Sequence, residues 1–370
     1  MQIDMHHGLI YVLARLADFS PQEATIIAHS SQYVDDATNQ GVIRFSNCAL
    51  YQRTASAHKM LDYRNFRELA NHQVWVPFHF LPGDEVRAED RELIPDFVQR
   101  MICRPNSEIA REMMRRYICD QNSGNHLYRL GIALHVYADT WAHQGFAGID
   151  HEVNRVQEIL DADGLRDDNK MRHVEAFFHR NIFTKLKDSV ISMFINDISP
   201  IGHGPVLGFP DCPYLEWGYR DWQGRLIERN NPKDYMEAAD HIFTMLSAYR
   251  RQKFTDNIET IPASDRQKIE HLITSLTLPD GRDRHFSWLE AIRNGDFSFG
   301  SENLSYQAKG EMSWKHEALG TLKHVDDHSE IFEFDLKFLR SHWKQFHDAL
   351  LYHRFLILHE VLPEKKLCAA

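Results

Sequence analysis

The segment LHVYADTWAHQGFAG, residues 134–148, carries three side chains that could bind metal ions. His135, Asp139 and His143 follow one another at intervals of four residues. On an α-helix, residues four apart lie about 40° apart around the axis and about 6 Å apart along it, so all three would project from one stripe. A carboxylate between two imidazoles suits two or more divalent ions that share it, as in hydrolytic sites whose ions lie about 3.5–4 Å apart. The spacing therefore predicts a metal centre on this helix.

A helix whose polar stripe is merely rich in histidine would show the same spacing. The stripe is surrounded, however, by Leu134, Val136, Tyr137, Trp141 and Phe146, so it is expected to face a buried cleft. Buried ionisable groups need partners, and a metal ion supplies them. The apolar context therefore favours metal binding.

One helix offers too few ligands for a metal cluster, and four other segments supply candidates. These segments combine His or Asp with apolar or glycine-rich neighbours: Asp4, His6 and His7 near the N-terminus, Asp35 and Asp36 in SQYVDDA, His79 in VWVPFHFLPGD, and His203 with Asp211 in IGHGPVLGFPDCP. Neighbouring helical residues point about 100° apart, so one of Asp35 and Asp36 is expected to face inward. Glycine on both sides of His203 would let the backbone approach an ion closely. Structural roles remain open, since Asp4 could cap the first helix and His79 could bond a carbonyl in the core.

The elements that must position these residues are predicted to be mostly helical. Ser20-Pro21-Gln22-Glu23 is a capping box with proline at the first helical position, and it opens a helix that ends near Asp36. Asn106-Ser107-Glu108 opens a second helix, IAREMMRRYICD. Further helices are predicted at about 125–146, 172–196, 233–250, 265–277 and 332–360, with Ser264 and Gln267 capping the helix at 265–277. The best strand signal is a short hairpin near 217–229, turned by Asp221 to Gly224.

These elements predict an all-α fold. We expect one large helical domain over residues 1–370, since neither an internal repeat nor a low-complexity linker divides the chain. Residues 1 to about 215 would hold the metal site, and residues from about 216 to 370 would form a C-terminal helical extension.

Composition limits the possible partners. The chain has 42 Lys and Arg against 53 Asp and Glu, a net charge of −11, which disfavours long nucleic acids. No signal peptide precedes the first apolar stretch, and no apolar run reaches the roughly 20 residues of a membrane-spanning helix. The five cysteines show no CxxC spacing. We therefore expect a cytoplasmic protein that acts on a small molecule, in an oligomeric state that the sequence leaves open.

The order of the candidate ligands resembles the zinc-dependent phospholipase C and P1 nuclease superfamily. Members of that superfamily are all-helical, hold three zinc ions in a cleft and hydrolyse phosphodiester or phosphomonoester bonds. The resemblance is closest at His135 and Asp139, and it places His143 at the next ligand. It implies further ligands by order and context at His6, Asp36 or Asp35, His79 and His203.

The chain departs from the superfamily pattern in three places. His143 follows Asp139 after three intervening residues, where the phospholipases have a longer gap. The usual last pair, a histidine and a carboxylate one helical turn later, is absent because Leu207 is the fourth residue after His203, which leaves Asp211 as a stand-in. The superfamily also uses its N-terminal amine as a ligand after secretion. Because this chain starts at Met1 without a signal peptide, that ligand is not expected here, and Asp4 could replace it.

Five segments also look like DUF6765, a family of uncharacterised bacterial proteins. They are MQIDMHHGLIYVLARL, SQYVDDATNQG, HKMLDYRNF, VPFHFLPG and LHVYADTWAHQGFAG. This resemblance covers most of the chain and implies no activity.

The sequence as a whole predicts a metal-dependent hydrolase of phosphoester bonds, in which ions activate a water molecule as the nucleophile. Neither a G-x-S-x-G motif nor a P-loop supplies another mechanism. Asp139 would bridge the ions, and Asp35 or Asp36 would hold a metal and orient the water. The His/Asp ligand set favours two or three Zn²⁺ ions. Two alternatives stay open: an HD-type phosphohydrolase with iron or manganese, and a helical metal-binding protein without catalysis.

Overall fold

A computed structural model describes residues 1–58, 68–160, 202–206, 208–324 and 329–369 of the chain. Its first helix begins as a π-helical turn, Asp4–Leu9, and continues as α1 (Ile10–Leu16). The other α-helices are α2 (Pro21–Asp36), α3 (Glu68–His72), α4 (Trp75–Phe78), α5 (Asp96–Met101), α6 (Glu108–Cys119), α7 (His126–Ala142), α8 (Asn231–Arg250), α9 (Ala263–Ser275), α10 (Gly281–Asn294), α11 (Trp314–Leu319), α12 (His342–Phe355) and α13 (Leu362–Glu364).

The strands form two small sheets. In the first, β1 (Gly41–Phe45) pairs antiparallel with β2 (Leu50–Arg53) and parallel with β6 (Ile331–Phe332). In the second, β4 (Glu216–Arg220) lies between β3 (Glu158–Leu160) and β5 (Leu226–Asn230), and both pairings are antiparallel. The hairpin predicted near 217–229 is thus confirmed, with Trp217 opposite Arg229 and Gly224 in the turn at φ 79°.

The all-α prediction is wrong. About 53% of the structure is helical and 9% is strand, in two three-stranded sheets, so the fold is mixed α/β. The sequence pattern did not predict the first sheet, because its strands are short and a non-glycine residue, Cys48, adopts φ 68° in the β1–β2 turn. The third strand of that sheet has only two residues, too few for an alternating pattern.

Helix boundaries agree with the sequence where a side chain caps the first turn. Ser20 and Glu23 form the predicted capping box, and the Ser107 hydroxyl accepts a hydrogen bond from the Ala110 amide. By contrast, α9 begins after Pro262 without a side-chain cap, so Ser264 does not play the predicted role. The helix predicted at 332–360 is divided into β6, a 3₁₀ turn Leu336–Arg340, α12 and a π-helical turn Leu356–Val361. The helix predicted at 172–196 lies outside the described residues.

Helix α7 occupies the centre of the fold. Every residue from Leu130 to Ala142 is buried, and the helix packs against α2, α6, α8 and α12. One hydrophobic cluster runs from Met1 to Ala369, so the region after residue 216 shares a core with the region before it. Among the described residues, none of the helices combines the length and the apolar character needed to cross a bilayer.

The contact between α2 and α7 is unusually close at one glycine. A Cβ atom at Gly131 would lie 2.4 Å from the Ile27 carbonyl oxygen and 2.7 Å from the Ser30 Cβ. Only a residue without a side chain allows the helices to approach this far. Because α2 carries Asp35 and Asp36 and α7 carries His135 and Asp139, this contact sets the distance between two sets of candidate ligands.

Candidate metal centre

The structure brings eight of the predicted ligands together in three groups. Within each group the possible ligand atoms lie within 4.8 Å of one another: His6, Asp35 and His135; His79, His135 and Asp139; and His143, His203 and Asp211. His6 comes from the first π-helical turn, and Asp35 comes from the last turn of α2. His79 directly follows α4, while His203 and Asp211 come from the loop before β4. Segments far apart in the sequence thus converge on α7.

Asp139 lies at the middle of these groups and is 1% exposed. Its Oδ1 atom is 2.7 Å from the Met1 amine and 3.1 Å from His6 Nε2. Its Oδ2 atom is 3.2 Å from His135 Nε2, 3.3 Å from His79 Nδ1 and 3.6 Å from His143 Nδ1. Burial alone would raise the pKa of Asp139, but the neighbouring imidazoles and the amine hold that pKa well below its usual range. Both carboxylate oxygens are therefore placed to contact cations.

Three of the imidazoles are oriented by backbone carbonyls. His135 Nδ1 donates to the Ser31 carbonyl at 2.8 Å, His79 Nε2 donates to that of Ser56 at 3.0 Å, and His143 Nδ1 donates to that of His79 at 2.8 Å. A carbonyl only accepts, so each of these nitrogens carries the ring proton and the other nitrogen of a neutral ring keeps its lone pair. In each case that second nitrogen belongs to one of the three groups. Metal-binding histidines are held in the same way by partners behind the ring.

His6 provides a direct test of whether the cluster fits a metal. The side chain is fully buried, its ring stacks on that of His135 at 3.8 Å between centroids, and neither ring nitrogen makes a hydrogen bond. Burial lowers the pKa of His6 to about 4, so the ring is neutral at pH 7 and offers an unshared lone pair. Leaving a buried polar group without a partner costs free energy, and a metal ion would satisfy it. The residues present therefore fit a metal ion.

Asp35, and not Asp36, faces the centre. Asp35 Oδ1 lies 3.8 Å from His135 Nε2 and 3.9 Å from His79 Nδ1. Burial, together with the charge of Asp139, raises the pKa of Asp35 well above its ordinary value. Asp36 instead accepts hydrogen bonds from the Tyr306 hydroxyl at 2.6 Å and from Gln32 Nε2 at 3.2 Å. Of the two aspartates, Asp35 therefore lies beside the predicted ligands, with Asp36 behind it.

The third group surrounds Asp211, the stand-in for the missing late carboxylate. Asp211 Oδ1 lies 3.5 Å from His143 Nε2, and Oδ2 lies 3.7 Å from His203 Nε2. Burial would raise the pKa of Asp211, but the Met1 amine and His203 hold it well below its usual range. Gly202 has φ 57°, and a Cβ atom there would lie 2.1 Å from Phe80 Cζ. This glycine therefore makes room for an aromatic ring that stacks on His143, whereas the sequence had suggested room for an ion.

Asp4 lies outside the three groups. Its carboxylate pairs with the Arg284 guanidinium, with 2.5 Å between Nε and Oδ2, and both side chains are 0% exposed. The position that Asp4 was expected to take is occupied by the Met1 amine, which lies 2.7 Å from Asp139 and 3.1 Å from Asp211. Burial would lower the pKa of this amine, but the Asp139, Asp211 and Asp35 carboxylates raise it to about 11. An amine was not expected at this place, although the superfamily pattern includes one.

The remaining candidate near the N-terminus, His7, points away from the centre. Its Nδ1 atom lies 2.9 Å from His285 Nε2 on α10. His6 and His7 are neighbours, and successive side chains of a helix diverge by about 100°, so only one of them reaches Asp139.

The centre is closed on one side and open on the other. The side chains of His6, His135 and Asp139 are at most 1% exposed, whereas that of Asp35 is 33% exposed. His203 and Asp211 are 17% and 15% exposed. Among the described side chains of the three groups, those of Asp35, His203 and Asp211 are therefore the ones most accessible to solvent.

Comparisons with known proteins identify the family of the chain and leave its activity open. Neither a curated protein nor a solved structure matches it, so the resemblance to the phospholipase C and P1 nuclease superfamily gains no support from them. Residues 1–361 match a family of unknown function, DUF6765, as the sequence predicted. The chain therefore belongs to the DUF6765 family.

Proposed function

We propose that the protein is a metal-dependent hydrolase of phosphoester bonds. The observation that carries this proposal is the arrangement around Asp139, where three imidazoles tied to carbonyls turn their other nitrogens towards a cluster of carboxylates, two of them partly exposed to solvent. Sites that serve only to stabilise a fold are closed by protein ligands, whereas catalytic sites keep an open side. Divalent ions in such a site would lower the pKa of a water molecule and stabilise negative charge on phosphoryl oxygens.

The hydrogen bonds of His135 limit the number of ions. Its Nδ1 atom carries a proton that is donated to Ser31, so only Nε2 has a lone pair to offer. Two of the three groups share this nitrogen, and one lone pair binds one ion. The described residues therefore offer two complete three-ligand sites at a time, one that uses His135 and one built from His143, His203 and Asp211. We propose two ions with Asp139 between them, zinc being favoured by the His/Asp set.

Charge explains why the ions would be needed for substrate binding as well as for chemistry. Among the described groups of the centre, three are carboxylates (Asp35, Asp139 and Asp211) and one is an amine, that of Met1, while burial lowers the pKa of the His6 imidazole to about 4. Even with Asp35 protonated, such a centre offers no net positive charge to an anionic phosphoester. Two divalent ions would reverse the sign, so the metal-free protein should not bind phosphate.

The carboxylates in and beside the centre would have different roles. Asp139 has both oxygens directed at ligand nitrogens, which suits a bridge between two ions. Asp35 is the most exposed of the three carboxylates in the groups, so it is placed to accept a hydrogen bond from the attacking water. Asp36 would act indirectly, through Gln32 and Asp35. The Nε2 atom of Gln32 contacts both carboxylates, at 3.2 Å from Asp36 and 3.5 Å from Asp35.

Elemental analysis joined to a phosphodiesterase assay tests the proposal. Protein purified without chelator should contain about two equivalents of zinc, iron or manganese and should hydrolyse bis-nitrophenyl phosphate. Asp139→Asn should lose both metal and activity while keeping its circular dichroism spectrum. The matched control is Asp240→Asn, which makes the same change at a partly exposed carboxylate paired with Arg266.

Three results would contradict the proposal. The first is wild-type protein with metal below stoichiometric amounts, and the second is Asp139→Asn protein with full metal and activity. The third is two bound ions without hydrolysis of phosphate monoesters or diesters, which would favour a metal-binding protein without catalysis. Iron or manganese in place of zinc would point to HD-type chemistry on the same residues.

A further inference from the structure

We infer that Arg284 is a positioning residue for the metal centre, because it fixes the N-terminal segment that carries His6. The inference rests on the proposed metal centre and concerns how one ligand reaches it. Arg284 lies on α10, 280 residues after Asp4, and its hydrogen-bond partners among the described residues are not members of the three ligand groups.

The guanidinium of Arg284 is fully buried, and each of its nitrogens donates a hydrogen bond. Nε donates to Asp4 Oδ2 at 2.5 Å, and Nη2 donates to Gln2 Oε1 at 2.8 Å. Nη1 donates to the carbonyls of Leu278 and Pro279 at 2.6 Å and 3.1 Å. One side chain thus ties the first residues of the chain to the beginning of α10.

Helix α10 also holds the residues that follow His6. A Cβ atom at Gly8 would lie 2.9 Å from Trp288 Cβ, so the first helix packs directly on α10 at that point. His7 contacts His285 through ring nitrogens 2.9 Å apart. Contacts to α10 therefore flank His6 on both sides in the sequence.

The His6 ring has two contacts within the cluster. It stacks on His135, and its Nε2 atom lies 3.1 Å from Asp139 Oδ1, but no carbonyl holds either of its nitrogens. His135, His79 and His143 are each fixed by a carbonyl, whereas the position of His6 depends on the backbone that carries it. Releasing Asp4 and Gln2 from Arg284 should therefore move His6 and leave the other imidazoles where they are.

The test measures zinc affinity in Arg284 variants by competition with a chromophoric chelator. In Arg284→Met, one of the two zinc ions should bind about 10–100-fold more weakly, the range seen when a residue behind a ligand is removed. The ion held by His143, His203 and Asp211 should bind as in the wild type. Arg284→Lys should be intermediate, because an ammonium can keep Asp4 but cannot reach all four partners.

Two further variants separate positioning from a loss of stability. Arg284→Met leaves Asp4 buried without a counter-charge, which is destabilising, so Asp4→Asn/Arg284→Met removes both charges. Arg266→Met, which removes a surface pair with Asp240, should change neither zinc affinity. Hydrogen exchange at residues 1–9 should accelerate in the double variant and stay unchanged in His6→Ala, which loses the ligand without releasing the segment.

The outcomes are distinct from those that test the proposed function. A folded Arg284 variant that binds both zinc ions with wild-type affinity would overturn the inference, whatever happens to its thermal stability. Zinc binding without hydrolysis in the wild type would overturn the proposed function alone. Wild-type protein that does not bind zinc would overturn both.

Discussion

At the scale of single residues, the buried histidines differ in what their two ring nitrogens contact. His135 and His79 have one nitrogen on a carbonyl and the other in the cluster. His353 has both nitrogens satisfied by the protein, since Nε2 lies 2.8 Å from the Pro77 carbonyl and Nδ1 lies 2.8 Å from the Tyr117 hydroxyl. All three are buried, so the contact of the second nitrogen distinguishes a proposed ligand from a core histidine.

His353 gives the protein a pH dependence that has nothing to do with metal. Burial lowers the pKa of His353 from 6.5 to about 4. Between pH 6.5 and pH 4, His353 is protonated in the unfolded chain and neutral in the folded chain. The free energy of unfolding therefore falls as the pH falls, by up to about 1.4 kcal/mol per pH unit. Urea unfolding of chelator-treated protein between pH 7 and pH 4 should show a shallower slope for His353→Gln. The exposed His359, changed to Gln, serves as the control. Equal slopes for His353→Gln and the wild type would contradict this prediction.

The residues that sequence reasoning placed best are those whose geometry is local. His135, Asp139 and His143 are separated by single helical turns, so helix geometry alone brings their side chains to one stripe. Asp4 was predicted to be a possible ligand, but it pairs with Arg284 instead. Arg284 lies 280 residues away, and no local sequence pattern predicts this contact. Asp35 and Asp36 could not be told apart because the tilt of a helix end depends on what packs against it.

At the scale of elements, capped helices were predictable and short strands were not. The Ser20 capping box fixes its helix through hydrogen bonds within four residues, so the sequence contains the whole signal. The strand Ile331–Phe332 exists only because it pairs with Arg44 and Phe45, far away in the chain. The all-α prediction failed at such tertiary pairings, which override weak local preferences.

The close contact of α2 with α7 predicts that one added methyl group at Gly131 destabilises the protein. Gly131→Ala should force the helices apart, since a Cβ atom there would lie 2.4 Å from a backbone oxygen. Overpacking of this kind costs about 1–3 kcal/mol, and separating Asp35 from His135 should weaken zinc binding as well. Gly124→Ala is the matched control, because a Cβ atom at that position meets nothing within 4 Å. Unfolding midpoints and zinc affinities that match between the two variants would refute the argument.

At the scale of the whole molecule, the proposed metal centre lies where distant parts of one core meet. Its groups take side chains from His6 to Asp211, and the Arg284 contact extends this dependence to α10. Binding to the folded state alone stabilises a protein by about 2.7 kcal/mol when the ligand is at 100 times its dissociation constant. Removal of the ions should therefore lower the stability of the entire fold.

Chelator treatment tests this coupling. EDTA should lower the thermal midpoint of the wild type by on the order of 5 °C, given the size of the chain. Asp139→Asn should start from the lower midpoint and should not respond to EDTA, because it has no ions to lose. An unchanged wild-type midpoint in EDTA would show that the ions contribute nothing to folding.

The link between Asp4 and Arg284 has a consequence for biosynthesis. A ribosome adds about 5–20 residues per second, so roughly 15–60 seconds separate the synthesis of His6 from that of the helix that anchors it. During that time the nascent chain contains most of the ligands of the centre without the means to hold His6 among them. His6 should therefore take its place in the proposed centre only after Arg284, about three quarters of the way along the chain, has left the ribosome, which would make completion of the centre a late step of folding.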